Sequence, residues 1–156
     1  MDPAAVELSN GKVRLYFTIE PGVDEEAIAK AYSAISTNGK SFRYEGLSFS
    51  IKGVDIRDCT VATLGKTWHM YCPNWKSNGK GYHATSKTGK TFKRSADAVV
   101  GGRRNFLGNV VNVNGTLYFY SGGWVATSTN GKKFRLKHKE GLPGDPGIVY
   151  LDNKWY

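Results

Sequence analysis

Ser36-Thr37-Asn38-Gly39-Lys40-Ser41-Phe42, Ser86-Lys87-Thr88-Gly89-Lys90-Thr91-Phe92 and Ser128-Thr129-Asn130-Gly131-Lys132-Lys133-Phe134 are one phrase written three times. Its copies start 50 and 42 residues apart, at positions 36, 86 and 128. A repeat of that period marks stacked copies of one supersecondary unit, and a four-stranded propeller blade needs about 40 to 50 residues.

A second pattern runs at a similar period. Asp2, Asp58, Asn109 and Asp145 each open a short apolar or β-branched run, then a tight turn, then an aromatic-rich run. That is a hairpin signature. Asn114-Gly115 is the clearest turn, because a two-residue type I′ loop needs positive φ at both positions and Asn-Gly tolerates it. Asn10-Gly11 and Asp152-Asn153 are weaker versions. The serine phrase closes a second hairpin in each unit, after Ala31–Ala34, His83–Thr85 and Trp124–Thr127 and before Phe42, Phe92 and Phe134.

One unit is therefore hairpin, loop, hairpin. The expected fold is all-β: a β-propeller of four-stranded antiparallel blades, about three and a half of them, in one domain spanning 1–156. The units fall near 2–53, 54–100 and 101–138, with a half-unit from 139 to 156. Phe42, Phe92 and Phe134 should take equivalent buried positions. Asp24–Ala31 is the only helical suggestion, and it reads as a short turn at most. Three and a half blades do not close a ring, so the expectation is a partial propeller or one completed in a homo-oligomer.

Composition excludes several classes. Gly, at 19 residues, and aromatics, at 13%, favour turns and packed sheets over helices. No apolar run approaches the ~20 residues that span a bilayer, and no signal peptide or membrane partner is expected. The net charge of +9 raises nucleic acid as a partner. Lys12, Lys40, Lys66, Lys90, Lys132 and Lys133 all fall in turns, where lysines are solvated and guard sheet edges. Nucleic acid is accordingly not the expected partner. Arg103-Arg104 precedes an inner strand. It is either a surface loop or a pocket pair that favours a carboxylate, sulfate or phosphate.

Cys59 and Cys72 are placed symmetrically about the Gly65-Lys66 turn, so in simple register they face each other across two strands. A disulfide is geometrically possible there. Two cysteines give no framework signal, and two buried free thiols are the expectation. His69, His83 and His138 lack metal-ligand spacing, and neither a metal nor a cofactor is expected.

The serine phrase resembles the Asp-box-like turns of sialidase-like and five-bladed propeller glycosidases. The Asp2-Pro3 opening is similar to the first blade of glycoside hydrolase family 43, and Ile56-Arg57-Asp58-Cys59 resembles a strand of glycoside hydrolase family 32. The likeness covers the whole chain as repeat architecture. It implies carboxylates around a central funnel, one acting as base or nucleophile and one protonating the leaving oxygen. By motif these are Asp2 and Asp58, with Asp145 a further candidate and Glu140 in the loop before it. The third blade should supply an acid, yet no Asp or Glu occurs from Arg103 to Tyr120. Trp75 and Trp124 are candidates to stack on a sugar, or else to pack between blades.

The expected function is a carbohydrate-interacting propeller with incomplete catalytic machinery, binding an oligosaccharide or polysaccharide, anionic ones included. An active glycosidase and a scaffold without ligand are the alternatives.

Overall fold

The computed structural model describes residues 3–20, 28–102, 104–139, 146–151 and 154–156. The described residues contain no helix. Ala4–Glu7 (β1), Val13–Ile19 (β2), Lys30–Ser36 (β3) and Arg43–Phe49 (β4) form an antiparallel sheet in sequence order. Thr60–Leu64 (β5), Thr67–Pro73 (β6), Lys80–Ser86 (β7) and Lys93–Arg94 (β8) form the next, with Ala98–Val99 (β9) also paired to β7. Asn109–Val113 (β10), Thr116–Ser121 (β11), Trp124–Ser128 (β12) and Arg135–His138 (β13) form the third. Tyr150–Leu151 (β14) and Lys154–Trp155 (β15) pair as a short hairpin. Four-stranded blades in sequence order are the architecture of a partial β-propeller.

The turn chemistry explains the repeated phrase. In each copy the serine Oγ accepts a bond from the glycine amide three residues on: Gly39 at 2.9 Å, Gly89 at 3.0 Å and Gly131 at 3.0 Å. Asn38 Oδ1 then accepts from the Lys40 and Ser41 amides, and Asn130 Oδ1 from Lys132 and Lys133. The three glycines have φ of 70°, 72° and 71°, a left-handed conformation that side chains resist. Ser, Asn or Thr, and Gly are thus each required by the loop's own hydrogen bonds. Asn114 and Gly115, at φ 50° and 79°, close β10–β11 as the expected two-residue turn. Asn10-Gly11 sits instead in a longer loop, closed by Leu8 N–H to the Lys12 carbonyl at 2.7 Å.

The phrase also locks neighbouring blades together. Tyr16 and Tyr71 hold the same register, three residues beyond the partner of the phrase serine on β2 and β6. Tyr16 donates to the Gly89 carbonyl of the second blade at 2.6 Å. Tyr71 donates to the Gly131 carbonyl of the third at 2.8 Å. Phe92 packs edge-on to Tyr16 and Phe134 edge-on to Tyr71. Backbone bonds reinforce the seams, from Phe92 N–H to Ser48 and from Phe134 N–H to Val99. Two cores result: one around Tyr16, Ile56, Met70 and Phe92, the other around Tyr71, Phe106, Phe119 and Phe134.

Three expectations are corrected or limited. Phe92 and Phe134 are buried, but Phe42 is 38% exposed. Phe92 and Phe134 each pack on a tyrosine of the preceding blade, and among the described residues Phe42 has no such ring contact. Cys59 and Cys72 are not free thiols: they form a disulfide with Cα atoms 4.2 Å apart. Thr60 pairs with Tyr71, so the next pair outward is Cys59 opposite Cys72, close enough to bond. The first half of the suggestion at Asp24–Ala31 lies outside the described residues, and Lys30 and Ala31 are already in β3.

Two polar pairs are buried in the seams. Arg14 binds Glu45 through two nitrogens, at 2.6 and 3.2 Å, and reaches the Thr88 carbonyl of the next blade at 2.9 Å. At the matching register in the second blade, His69 Nδ1 and His83 Nε2 lie 2.9 Å apart. His83 Nδ1 is 3.2 Å from the Ala96 carbonyl. An N–H on His83 Nδ1 then donates to that carbonyl, and Nε2 accepts from His69.

Candidate functional site

The inner strands β1, β5 and β10 line a common channel with Ile148 and Val149, a cavity of about 350 Å³. Adjacent inner strands are joined by bonds such as Val110 N–H to Thr60 Oγ1 at 3.1 Å and Asn112 Nδ2 to the Thr63 carbonyl at 2.5 Å. At one end the channel opens into a second cavity of about 250 Å³. Pro3, Ala4, Asp58, Cys59, Thr60, Gly108, Asn109, Pro146 and Gly147 line it, so residues at the starts of all three blades meet the segment before β14. Glu7 stands toward the channel's other end, at the end of β1.

Register fixes which residues are equivalent at the mouth. Ala4, Thr60 and Asn109 pair with Tyr16, Tyr71 and Tyr120 in their respective blades. Two residues before each stand Asp2, Asp58 and Leu107. The third blade thus carries a leucine at the register where the second carries Asp58. Asp58 itself sits in a left-handed conformation at φ 48°, unusual for a residue with a side chain. The disulfide at Cys59 anchors the strand immediately behind it. Arg57 does not neutralise Asp58 through its ion pairs, because its guanidinium is engaged by Asp55 and Glu20. Among the described residues Asp58 is the carboxylate of the funnel mouth. Asp2, Asp145, Glu140 and Arg103 lie outside the described residues. Pro3 and Pro146, which follow the two aspartates in sequence, do line the same cavity as Asp58.

A third cavity, of about 300 Å³, lies beside the mouth. It brings together three of the sequence candidates: Trp75, Arg104 and Trp124, with Ser77, Asn78, Asn105, Leu107, Ser121 and Gly122. The loops before the inner strand and between the second and third strands of a blade meet here. Trp75 is 62% exposed, a large apolar side chain left in water. Trp124 is 4% exposed and stacks on Phe119, so it is a packed wall rather than an open platform. Beneath the site, Phe106 is held at φ 64° and buried among Tyr71, Phe119, Trp124 and Phe134. A buried aromatic in that conformation costs roughly 1–3 kcal/mol, which the surrounding packing must offset.

Sequence reasoning missed the seam residues. Tyr16 and Tyr71 could have been found only by aligning blades on strand register, since their distances to the phrase serine differ with loop length. It also missed that Leu107 shares the register of Asp58, for the same reason.

These strands, channel and mouth define a fold class, the propeller fold found in several glycoside hydrolase families. Among particular solved structures, the chain is similar to Zg3597, a family 117 glycoside hydrolase of the marine bacterium Zobellia galactanivorans, with a TM-score of 0.71 at 12% identity over 87% of this chain and 54% of that one. It is similar to a structure described for the GH130 family of mannoside phosphorylases and glycoside hydrolases, at TM-score 0.66 and 16% identity over 98% and 57%. It is similar to CoXyl43, a GH43 β-xylosidase/α-arabinofuranosidase from a compost metagenome, at TM-score 0.64 and 20% identity over 98% and 62%. The chain thus spans little more than half the length of these proteins. No protein-family model and no curated protein matches the sequence.

Proposed function

We propose that the chain is a carbohydrate-interacting propeller related in fold to glycoside hydrolases, with an incomplete catalytic set. The observation that carries this reading is that Leu107 stands in the third blade at the register Asp58 holds in the second, Asp58 lining the funnel mouth and Leu107 the adjoining cavity. A glycosidase needs two carboxyl groups across the scissile bond, about 5 to 9.5 Å apart. Leucine can neither donate nor accept the proton. What the mouth keeps is suited to binding: a carboxylate, a threonine, an asparagine and backbone amides that can bond sugar hydroxyls. Loss of one general acid removes roughly 10²–10⁴-fold in rate, which would leave residual turnover at best.

Active hydrolysis is the second reading. It is favoured by Pro3 and Pro146, which line the mouth directly after Asp2 and Asp145. Binding calorimetry against an oligosaccharide panel, run beside hydrolysis of aryl glycosides, separates the two. Saccharide binding without turnover, weakened by Asp58→Asn, is the expected result. Turnover of about 1–10³ per second, abolished by Asp58→Asn, would establish the enzyme instead. Neither binding nor turnover would leave a scaffold.

A further inference from the structure

We propose that the cavity beside the funnel mouth is a subsite for an acid-bearing sugar, with Trp75 as the stacking surface and Arg104 as the reader of a carboxylate or sulfate group. This rests on the saccharide reading of the mouth and names the class of sugar.

Trp75 is presented, not merely exposed. Its loop is zipped to the neighbouring one by Asn74 N–H to the Asn105 carbonyl at 3.0 Å and Gly79 N–H to the Arg104 carbonyl at 2.9 Å. Within the loop, Asn74 caps its own turn, taking bonds from the Lys76 and Ser77 amides at 3.2 Å each. Asn74 is 8% exposed while Trp75, next to it, is 62% exposed. A loop so fixed loses little entropy when a ring settles on the indole, which is how a stacking platform gains affinity.

Arg104 is fixed in the same way. Its guanidinium lies across Gly102, where a Cβ would come within 2.3 Å of Nη1. Nη1 donates to the Gly101 carbonyl at 3.0 Å. That uses one of the five donors of the fork. Arg14, Arg57 and Arg94 each face a carboxylate. Arg104 faces none among the described residues, and no described carboxylate lines its cavity. The neutral lining groups, Ser77, Asn78, Asn105 and Ser121, suit hydroxyls.

Leu107 gives the arrangement its sense. It borders this cavity and takes the position that Asp58 holds in the second blade. A carboxylate there would repel an acidic sugar and pair with Arg104. With leucine, the charge changes sign across the mouth, from Asp58 to Arg104, and an acidic residue of a saccharide is accepted on one side only.

The test is calorimetry with trigalacturonate, a sulfated galactotriose and neutral galactotriose. About 0.15 M salt suppresses the diffuse attraction of a +9 protein for anions. At least one acidic probe should bind about 10-fold or more tighter than the neutral one, the two acids telling carboxylate from sulfate. Arg104→Gln should erase that preference and spare neutral binding, with Arg104→Lys intermediate because it loses the planar fork. Trp75→Ala should weaken all probes by roughly 3- to 10-fold. Lys90→Gln and Lys132→Gln, at the far end of the blades, should change nothing. Equal affinity for acidic and neutral probes, or an Arg104→Gln variant that keeps the preference, overturns acid recognition and leaves the saccharide reading standing. Inorganic sulfate binding as tightly as the sulfated sugar reduces the site to an anion site and also overturns it. Failure of every saccharide to bind overturns both.

Discussion

Lowering the pH from about 7.5 to about 5 should loosen the seam between the second and third blades through His83. His83 is fully buried, and burial, with His69, Lys132 and Arg94 around it, lowers its pKa to about 4, against a smaller opposing effect of the Ala96 carbonyl. His69 is lowered too, by burial and Lys132. An unfolded histidine takes its proton near pH 6.5. Between those two values the unfolded chain binds more protons than the folded one, so stability is full above about pH 6.5 and falls as the pH drops. For a group with these two pKa values the loss by pH 5 is about 2 kcal/mol, rising toward about 3 kcal/mol below pH 4. For a chain of this size that is a fall of roughly 4–8 °C in melting temperature by pH 5. Ordinary carboxylates titrate near pH 4, so the window above pH 5 isolates the histidines. Scanning calorimetry across that window is the assay, with an NMR titration of the His83 ring beside it. His83→Gln should flatten the curve. A wild-type melting temperature unchanged from pH 7.5 to pH 5, or a His83 ring that titrates near 6.5, would refute the reasoning.

Tyr71→Phe removes only the bond to the Gly131 carbonyl and leaves a buried acceptor unpaired, so urea melts should show a loss of about 1–3 kcal/mol. Gly81→Ala places a Cβ 2.6 Å from Phe106 Cβ, and overpacking should cost about 1–3 kcal/mol by the same assay. Reducing the Cys59–Cys72 bond, which closes a hairpin of separation 13, should lower stability by at most about 3 kcal/mol. Alkylation followed by mass measurement should label neither cysteine before reduction.

The sequence by itself determined the blades. The serine phrase carries its whole hydrogen-bond scheme in seven residues, since Ser, Asn or Thr, and Gly satisfy one another locally. Turn chemistry of that kind needs no distant partner, so hairpin order and repeat were legible from spacing alone. The Asn114-Gly115 turn was legible for the same reason. The seams were not. Whether Phe42 is buried depends on what lies across the seam, not on its phrase, and the same motif gives a buried Phe92 and a half-exposed Phe42. Cys59 and Cys72 were placed as neighbours by register, but whether two facing thiols bond depends on a Cα separation that only the twisted sheet supplies. At the funnel, Asp58 could be picked out by its motif. That Leu107 is its counterpart, and that Trp75 and Arg104 share a cavity beside it, is decided where loops of different lengths converge. Sequence spacing records distance along the chain, and a site built from three blades is set by distances across it.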